Sequence, residues 1–338
     1  KYDIIAAPGA DLSKIKLQYK GADGLQIKNG ELIIKTSVGD LKELKPYSYQ
    51  FSDAGRKEII SRFVVKGNVV TFDVKGYDPR SVLVIDPDLV FCSFTGSKVD
   101  NWGFTATYGP DGSFFGGGIV KTTGFPVSTG AFQTGYAGGE WDIGIIKLSP
   151  DGRNRVYATY IGGSSIEQPH SLVVDGAGNL VLAGRTNSSN YPVTGANGLI
   201  GRGGGYDIVV TKLNAAGSAL LGSKRIGGSG DDGVNIRSSR SSAQSLQRNY
   251  GDDGRSEVIL DGAGNIYVAS TTQSWSGGDV NARFPIVGGF QPTFGGGQQD
   301  GVLLKLPPDV SGLLFSSYIG GSGNDAAYVL SLHPFNNN

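Results

Sequence analysis

Short apolar runs alternate along most of this chain with turns rich in Gly, Asn and Asp. The runs have strand length and many branched side chains, and none continues at the spacing of an amphipathic helix. Clear examples are residues 171–174, 179–183, 208–211 and 219–221. The pattern predicts an all-β protein whose short antiparallel strands are joined by tight hairpins.

Landmarks recur along the chain in a constant register. The tripeptide Ile-Gly-Gly follows Tyr160, Arg225 and Tyr318. An apolar run that starts with Asp and ends in Lys-Leu begins at Asp142, Asp207 and Asp300. These runs are 65 and 93 residues apart, so the unit is about 65 residues long and its last full copy carries 28 more. Such a period indicates supersecondary units that bury their apolar faces by stacking on one another.

Each unit contains segments for four short strands. Four antiparallel strands repeated radially are typical of the blades of a β-propeller, which leaves only short, protected sheet edges. The unit is longer than most propeller repeats, and the surplus falls in Gly-rich stretches such as residues 127–139. A β-solenoid is the competing architecture, although its rungs are usually much shorter.

The sequence of the repeat resembles that of the bacterial seven-bladed β-propeller repeat family (SBBP-type repeats). The matching motifs are Tyr-Ile-Gly-Gly-Ser, Val-Asp-Gly-Ala-Gly-Asn-Leu-Val-Leu-Ala-Gly, Phe-Pro, Gly-Ala-Phe-Gln-Thr and Lys-Leu-Ser-Pro-Asp-Gly. The resemblance extends from residue 89 to the C-terminus. It implies a partial propeller of three full blades and the start of a fourth, which residues 315–321 would open.

The first 88 residues have none of these landmarks and predict a small β-sandwich-like domain. Its expected strands are residues 14–19, 25–28 and 31–35, with a hairpin over 62–74 that turns at 66–68. Residues 7–11, 43–47 and 83–87 resemble the domain that precedes these repeats in surface proteins of Bacteroidota. The resulting domain prediction is 1–88 and 89–338, and we expect the chain to begin and end inside larger folded units.

Composition and charge argue against several classes of protein. Lys and Arg number 30 and Asp and Glu number 30, so the charge gives no reason to expect nucleic acid as a partner. No apolar run approaches the length of a membrane span, about 20 residues. The single Cys cannot form a disulfide within the chain.

The sequence predicts no catalytic residue. His170 and His333 have no metal-ligand spacing, and no nucleophile elbow or phosphate-binding loop is present. Asp142, Asp207 and Asp300 recur at one register position, which favours a structural role at a strand start, because a catalytic group is normally needed once. The alternative is a pair of carboxylates that hydrolyse a glycosidic bond.

Calcium is the weak cofactor candidate, and no other cofactor is predicted. Asp231, Asp232, Asp252 and Asp253 put carboxylate oxygens in Gly-rich turns, as calcium sites do. None of these turns matches the twelve-residue calcium loop. Ordinary Asp-Gly turns are the simpler interpretation.

The 28 extra residues of the third unit are the better guide to function. One insert of 21 residues lies near 234–256, and a second of 7 lies between Asp261 and Pro285. The residues singled out for binding are Arg237, Arg240, Arg248 and Tyr250 in the first insert and Trp275 in the second. Arginine and aromatic residues on loops of a rigid scaffold are typical of recognition surfaces. We expect a protein or glycan partner; a polar insertion without a ligand is the alternative.

The resemblance implies an exported, extracellular or cell-surface structural or adhesion module without catalytic activity. In Bacteroidota it implies type nine secretion, in which the secretion machinery would recognise a C-terminal domain that this chain lacks. The alternative is a propeller glycoside hydrolase or lyase that acts on polysaccharide.

Overall fold

The computed structural model describes residues 4–36, 39–52, 55–86, 95–150, 152–236, 254–275 and 279–333. The chain divides into two compact units, Lys1–Cys92 and Ser93–Asn338. Strands and turns make up nearly all of the described residues, and their only helices are two short 3-10 turns. Neither turn has the length or the apolar character needed to cross a membrane.

The first unit is built from two sheets. Its strands are β1 (Ile4–Ala6), β2 (Leu17–Gln18), β3 (Gly24–Lys28), β4 (Glu31–Thr36), β5 (Gly39–Glu43), β6 (Tyr47–Ser52), β7 (Gly55–Lys66), β8 (Val69–Lys75) and β9 (Leu83–Asp86). Six strands form one sheet in the order β1-β9-β6-β7-β8-β2, and β3-β4-β5 form the other. Leu32 and Ile34 of β4 pack against Phe63 of β7 and Val70 of β8, so the predicted sandwich-like arrangement is confirmed.

Two details of the first unit test the strand predictions. The hairpin is confirmed, since Lys66 pairs with Val69 across the turn. The strand predicted from residue 14 is wrong at its start, because Leu12–Lys14 is a 3-10 turn. Its cap is Asp11, whose Oδ1 accepts a hydrogen bond from the backbone N of Ser13 at 3.0 Å. This local bond competes with the extended conformation.

The second unit contains three main sheets. Its strands are β10 (Asn101–Tyr108), β11 (Phe114–Val120), β12 (Asp142–Leu148), β13 (Arg155–Ile161), β14 (Glu167–Val174), β15 (Leu180–Thr186), β16 (Leu199–Gly201), β17 (Asp207–Leu213), β18 (Leu220–Gly227), β19 (Glu257–Leu260), β20 (Ile266–Thr272), β21 (Asp300–Leu306) and β22 (Phe315–Ile319). The sheet orders are β10-β11-β12-β13, β14-β15-β17-β18-β16 and β19-β20-β21-β22. All their pairings are antiparallel except that of β16 with β18.

These sheets are the blades of a partial β-propeller, as the sequence predicts. The first strands of successive sheets contact one another, β10 with β14 and β14 with β19, so they lie innermost. The blades stack through apolar faces. One cluster joins the first and second blades through residues such as Ile143, Ile145 and Leu182. Another joins the second and third blades through residues such as Val210 and Val302.

The sequence unit and the blade are offset by one strand. The strand that contains the start of Ile-Gly-Gly is the first strand of each sequence unit. In the structure, however, it pairs with the last strand of the preceding sequence unit. These strands are β13, β18 and β22. Residues 315–321 therefore do not open a fourth blade as predicted: Phe315–Ile319 completes the third sheet. The described residues after it, 320–333, contain no strand.

The recurring Asp-Gly-Ala-Gly-Asn segment forms the hairpin turns that the sequence predicts. In the second blade, Oδ1 of Asp175 accepts hydrogen bonds from the backbone N of Ala177 and of Asn179. Gly178 has a φ of 82°, a conformation that L-residues with a side chain rarely adopt. Asp261 makes the same pair of bonds in the third blade.

Candidate functional site

The described ends of both inserts of the third unit lie close together in the propeller. We call this region the insert rim and define it as residues 228–236, 254–256, 273–275 and 279–299. Its two loops are joined directly: the backbone N of Ser229 bonds to the carbonyl of Ala282 at 2.8 Å. The backbone N of Gly230 bonds to Oγ of Ser274 at 3.0 Å.

The larger insert is anchored in the propeller at both of its described ends. Val234 and Asn235 before it, and Ser256 after it, are all buried. The side chain of Gln273 donates to the carbonyl of Val234 at 2.9 Å. Gln273 lies two residues before Trp275, so this bond joins the described ends of the two inserts.

The structure describes one of the five predicted binding residues. Trp275 lies on the insert rim and its side chain is exposed. Its indole stacks on Phe294, with ring centroids 6.2 Å apart and planes inclined by 24°. The other predicted binding residues lie outside the described residues; they are Arg237, Arg240, Arg248 and Tyr250.

A cavity of about 310 Å³ opens beside Trp275. Its walls are formed by Trp275, Arg283, Thr293, Phe294 and the backbone of two glycines. The guanidinium of Arg283 forms no hydrogen bond or ion pair with the described residues. The cavity thus combines an exposed aromatic face with an available positive charge.

The recurring aspartates bind backbone at the start of the third strand of each blade. Each carboxylate accepts a hydrogen bond from the loop that precedes it: Ala137 N to Asp142, Gly204 N to Asp207 and Gly295 N to Asp300. In the second blade, Arg225 adds a salt bridge to Asp207. These contacts hold the loop against the strand, which is a structural use of the side chain.

A second acidic residue follows each recurring aspartate at a constant spacing of 25 residues, which the sequence analysis missed. Each one accepts a hydrogen bond from the backbone N of the second glycine of Ile-Gly-Gly. The pairs are Glu167 with Gly163 (3.0 Å), Asp232 with Gly228 (2.8 Å) and Asp325 with Gly321 (2.7 Å). The constant spacing was the signal that could have revealed them.

The pKa of one carboxyl group is raised well above its usual value in each of the first two blades. Burial, with a contribution from the charge of Glu167, raises the pKa of Asp142 to about 7. Burial, with a smaller contribution from Asp207, raises the pKa of Asp232 to about 8. A β-carbon on Gly227 would lie only 2.6 Å from Oδ2 of Asp232. Asp207 and Asp232 are both fully buried, so this pair offers no exposed carboxylate to a substrate.

The structure describes two of the four aspartates that were considered as calcium ligands, Asp231 and Asp232. Oδ1 of Asp231 accepts the backbone N of Tyr206 at 3.1 Å. Asp232 is fully buried, and its carboxylate accepts hydrogen bonds from the hydroxyls of Thr272 and Ser274. Within the ranges that the structure describes, no three His, Cys, Asp or Glu side chains gather as metal ligands. Asp252 and Asp253 lie outside those ranges, so calcium stays a prediction.

One position of the inner strands differs in every blade. It lies at a β-bulge, between Gly103 and Thr105 in the first blade and between Pro169 and Ser171 in the second. Its occupants are Phe104, His170 and Ser256. Bulges re-aim a side chain and are common beside functional sites. The residue at this position varies between blades, whereas the recurring aspartate does not. The correspondence of these three residues could not be found from the sequence alone.

His170 is the titratable residue of this inner position. Its Nδ1 lies 3.0 Å from Oγ of Ser256, beside the end of the larger insert. Burial, with a contribution from the charge of Arg185, lowers the pKa of His170 well below its usual value. Arg185 is also buried and lies 4.8 Å from the ring centroid of Tyr206. A neutral imidazole therefore supports the base of the insert.

Comparison with known proteins gives two family matches. Residues 1–88 match the family described as "Domain of unknown function (DUF7948)". Residues 156–192 match the family described as "Beta-propeller repeat". No curated protein matches the chain.

Among solved structures, a substituted form of the Synechocystis apocarotenoid oxygenase is similar over 94% of this chain and 70% of that chain. The identity is 9% and the TM-score is 0.28. A similarity this weak carries no argument about activity. The repeat motifs and the three blades agree with these matches: the chain contains an SBBP β-propeller repeat at residues 156–192 and a DUF7948 domain at residues 1–88.

Proposed function

We propose that this chain is a non-catalytic recognition module of the cell surface, and that the insert rim is its binding surface. The observation that carries the proposal is the bond between Gln273 and Val234, which joins the described ends of both inserts of the third unit. Additions to one blade that lie close together make a continuous surface on a rigid scaffold. The β-propeller repeat itself supports a binding or structural module.

The repeated polar residues support a role without catalysis. Asp142, Asp207 and Asp300 bind backbone in every blade. A glycosidase needs two carboxyl groups that reach the substrate. In the first two blades the acidic partners Glu167 and Asp232 are buried along with the aspartates, so these pairs do not meet that requirement. No specific observation favours the hydrolase or lyase alternative.

The location belongs to the same proposal. The resemblance to surface proteins of Bacteroidota supports export by type nine secretion to the cell surface. The partners would then be a protein or glycan at that surface and, through a C-terminal domain not in this chain, the secretion machinery. The even charge balance gives no support to nucleic acid as a ligand.

Replacing residues 237–253 by a Gly-Ser linker of the same length tests the proposal. Val234, Asn235 and Ser256 are retained because they are buried and belong to the blade. We expect binding of the labelled protein to a glycan array and to host cells to be lost. The melting temperature should change by no more than about 2 °C, because surface changes rarely cost more than about 0.5 kcal/mol.

The control replaces two exposed polar residues of the first blade, 153 and 154 in the turn between β12 and β13, by Gly and Ser. It should leave binding intact wherever the variant folds. Equal binding by the wild type and the 237–253 variant would refute the insert rim as the recognition surface.

A further inference from the structure

The residues that line the cavity beside Trp275 differ from those at the matching positions of the second blade. At the matching positions the second blade has Ser189 and Asn190, and the side chain of Asn190 is occupied by a hydrogen bond from the backbone N of Ser164 at 2.9 Å. The third blade has Trp275 and Arg283 instead. Asn190 thus forms a structural hydrogen bond in the second blade, whereas Arg283 at the matching position of the third blade does not.

The two side chains are held by structure around them. Arg283 directly follows the 3-10 turn Val280–Ala282, whose cap, Asp279, forms an ion pair with Arg202 of the second blade at 2.9 Å. One face of the Trp275 indole packs on Phe294, and Phe294 in turn meets the ring of Tyr318 edge-on at 5.7 Å. The Trp275 indole and the backbone at Arg283 are therefore held in place before any ligand arrives, which lowers the entropic cost of binding.

Backbone forms the remaining wall. Gly297 has a φ of 67°, and a β-carbon on Gly296 would come within 2.8 Å of the Cα of Ser322. Only glycine fits at these two places. The cavity consequently has no side chain on that wall, and a ligand has direct access to peptide groups that accept and donate hydrogen bonds.

We propose that this cavity binds a saccharide that carries a carboxylate, such as a uronic acid. The inference rests on the proposed recognition function and names the ligand class of the insert rim. The flat C–H face of a sugar ring stacks on an exposed indole, and the adjacent guanidinium matches a carboxylate with two parallel hydrogen bonds. Peptide groups on the glycine wall suit the sugar hydroxyls.

The size of the cavity favours a saccharide over a protein surface. A volume of about 310 Å³ is at the lower end of small-molecule sites, which range from about 300 to 1,000 Å³. A stable protein interface instead buries about 800 Å² per partner. An acidic peptide is the competing ligand, and the test includes it.

Calorimetry on the full chain tests the proposal with trigalacturonic acid as the probe. Its methyl ester removes the charges and keeps the rings, and triglutamate keeps the charges without the rings. We expect binding of trigalacturonic acid, and weaker or no binding of the other two. The variants Trp275→Ala and Arg283→Gln should each weaken it by about tenfold or more, because a charge-assisted hydrogen bond contributes about that factor.

Two further variants separate recognition from folding. Arg283→Lys keeps the charge but not the fork of donors, so its affinity should fall between those of the wild type and Arg283→Gln. Trp102→Ala removes another exposed tryptophan, on β10 of the first blade, and should bind as the wild type does. All variants should retain the wild-type circular dichroism spectrum.

The results distinguish the two proposals. Equal affinity for the acid and its ester, preference for triglutamate, or no binding of any probe would overturn the acidic-saccharide site. If the 237–253 replacement still abolishes surface binding in that case, the recognition function stands without it. If both the replacement and the Trp275→Ala variant bind surfaces as the wild type does, both proposals fail.

Discussion

Buried aspartates make the stability of the folded chain depend on pH. Asp232 has a folded-state pKa of about 8, raised by burial, against 3.8 for the unfolded chain. Between these two values the folded state holds a proton that the unfolded state has released. The contribution of Asp232 to stability is therefore full below pH 4 and is lost as the pH rises towards 8.

The variant Asp232→Asn should remove this pH dependence. Its amide oxygen replaces the acceptor for Gly228 and Ser274, and its amide nitrogen donates to the hydroxyl of Thr272. We expect similar melting temperatures for variant and wild type at pH 5. At pH 9 the variant should be more stable by about 1 kcal/mol or more, since one pKa unit corresponds to about 1.4 kcal/mol.

Asp261→Asn is the matched control. Asp261 has a lowered pKa: burial opposes the shift, but hydrogen bonds from Asn265 outweigh it. Its contribution is lost only as the pH falls below 4. It should not alter the dependence between pH 5 and 9. A difference between Asp232→Asn and wild type that is constant across that range would contradict the assignment.

At the scale of elements, the strand of each blade that leads into Ile-Gly-Gly is bound to a loop by one side chain. The hydroxyl of Tyr318 on β22 accepts from the backbone N of Phe284 at 3.2 Å and donates to the carbonyl of Ser274 at 3.1 Å. Tyr160 does the same on β13. In the second blade, Arg225 binds the carbonyl of Ser189 instead. The residue before Ile-Gly-Gly is Tyr in two blades and Arg in one, and in each blade its side chain binds the backbone of a loop.

Tyr318→Phe should destabilise the third blade. The substitution removes one hydrogen bond each from the backbone N of Phe284 and the carbonyl of Ser274, which keep the 3.2 Å bond between them. We therefore expect a loss of about 0.5 to 1.5 kcal/mol. Urea denaturation of the full chain measures the loss. Tyr108→Phe is the control, because that side chain is exposed and its loss should cost nearly nothing. Equal midpoints for Tyr318→Phe and the wild type would show that the two bonds do not stabilise the blade.

The sequence predicts elements better than it predicts their partners. The strands and the Asp-Gly turns follow from alternation and from the conformational needs of glycine, which are local. The offset between unit and blade is not local, because it depends on which neighbour β13 pairs with. The candidate site shows the same limit: Trp275 was identified from its insert, whereas Arg283 and Phe294 meet it only through tertiary structure.

At the scale of the whole molecule, stability comes from blades that cover one another. Val210 and Leu303 occupy the same register, three residues after the recurring aspartate. Val210 is fully buried in the cluster between the second and third blades. Leu303 is only partly buried and faces a cavity beside residues 326–330. Repeat proteins gain much of their stability from such nearest-neighbour contacts.

Val210→Ala should therefore cost more than Leu303→Ala, although it removes fewer carbon atoms. We expect a loss of about 2 kcal/mol for Val210→Ala, from two buried methyl groups and the cavity they leave. For Leu303→Ala we expect about 1 kcal/mol, because much of the side chain stays in contact with water. Chemical denaturation gives both values, and the reverse order would refute stacking as the main source of stability.

The offset between unit and blade also sets an order of events during translation. The first sheet lacks its fourth strand until Arg155–Ile161, the opening strand of the next unit, has left the ribosome. The second sheet waits in the same way for Leu220–Gly227. A nascent chain paused between two units would display an open strand edge, and each new unit first finishes its predecessor before building its own sheet.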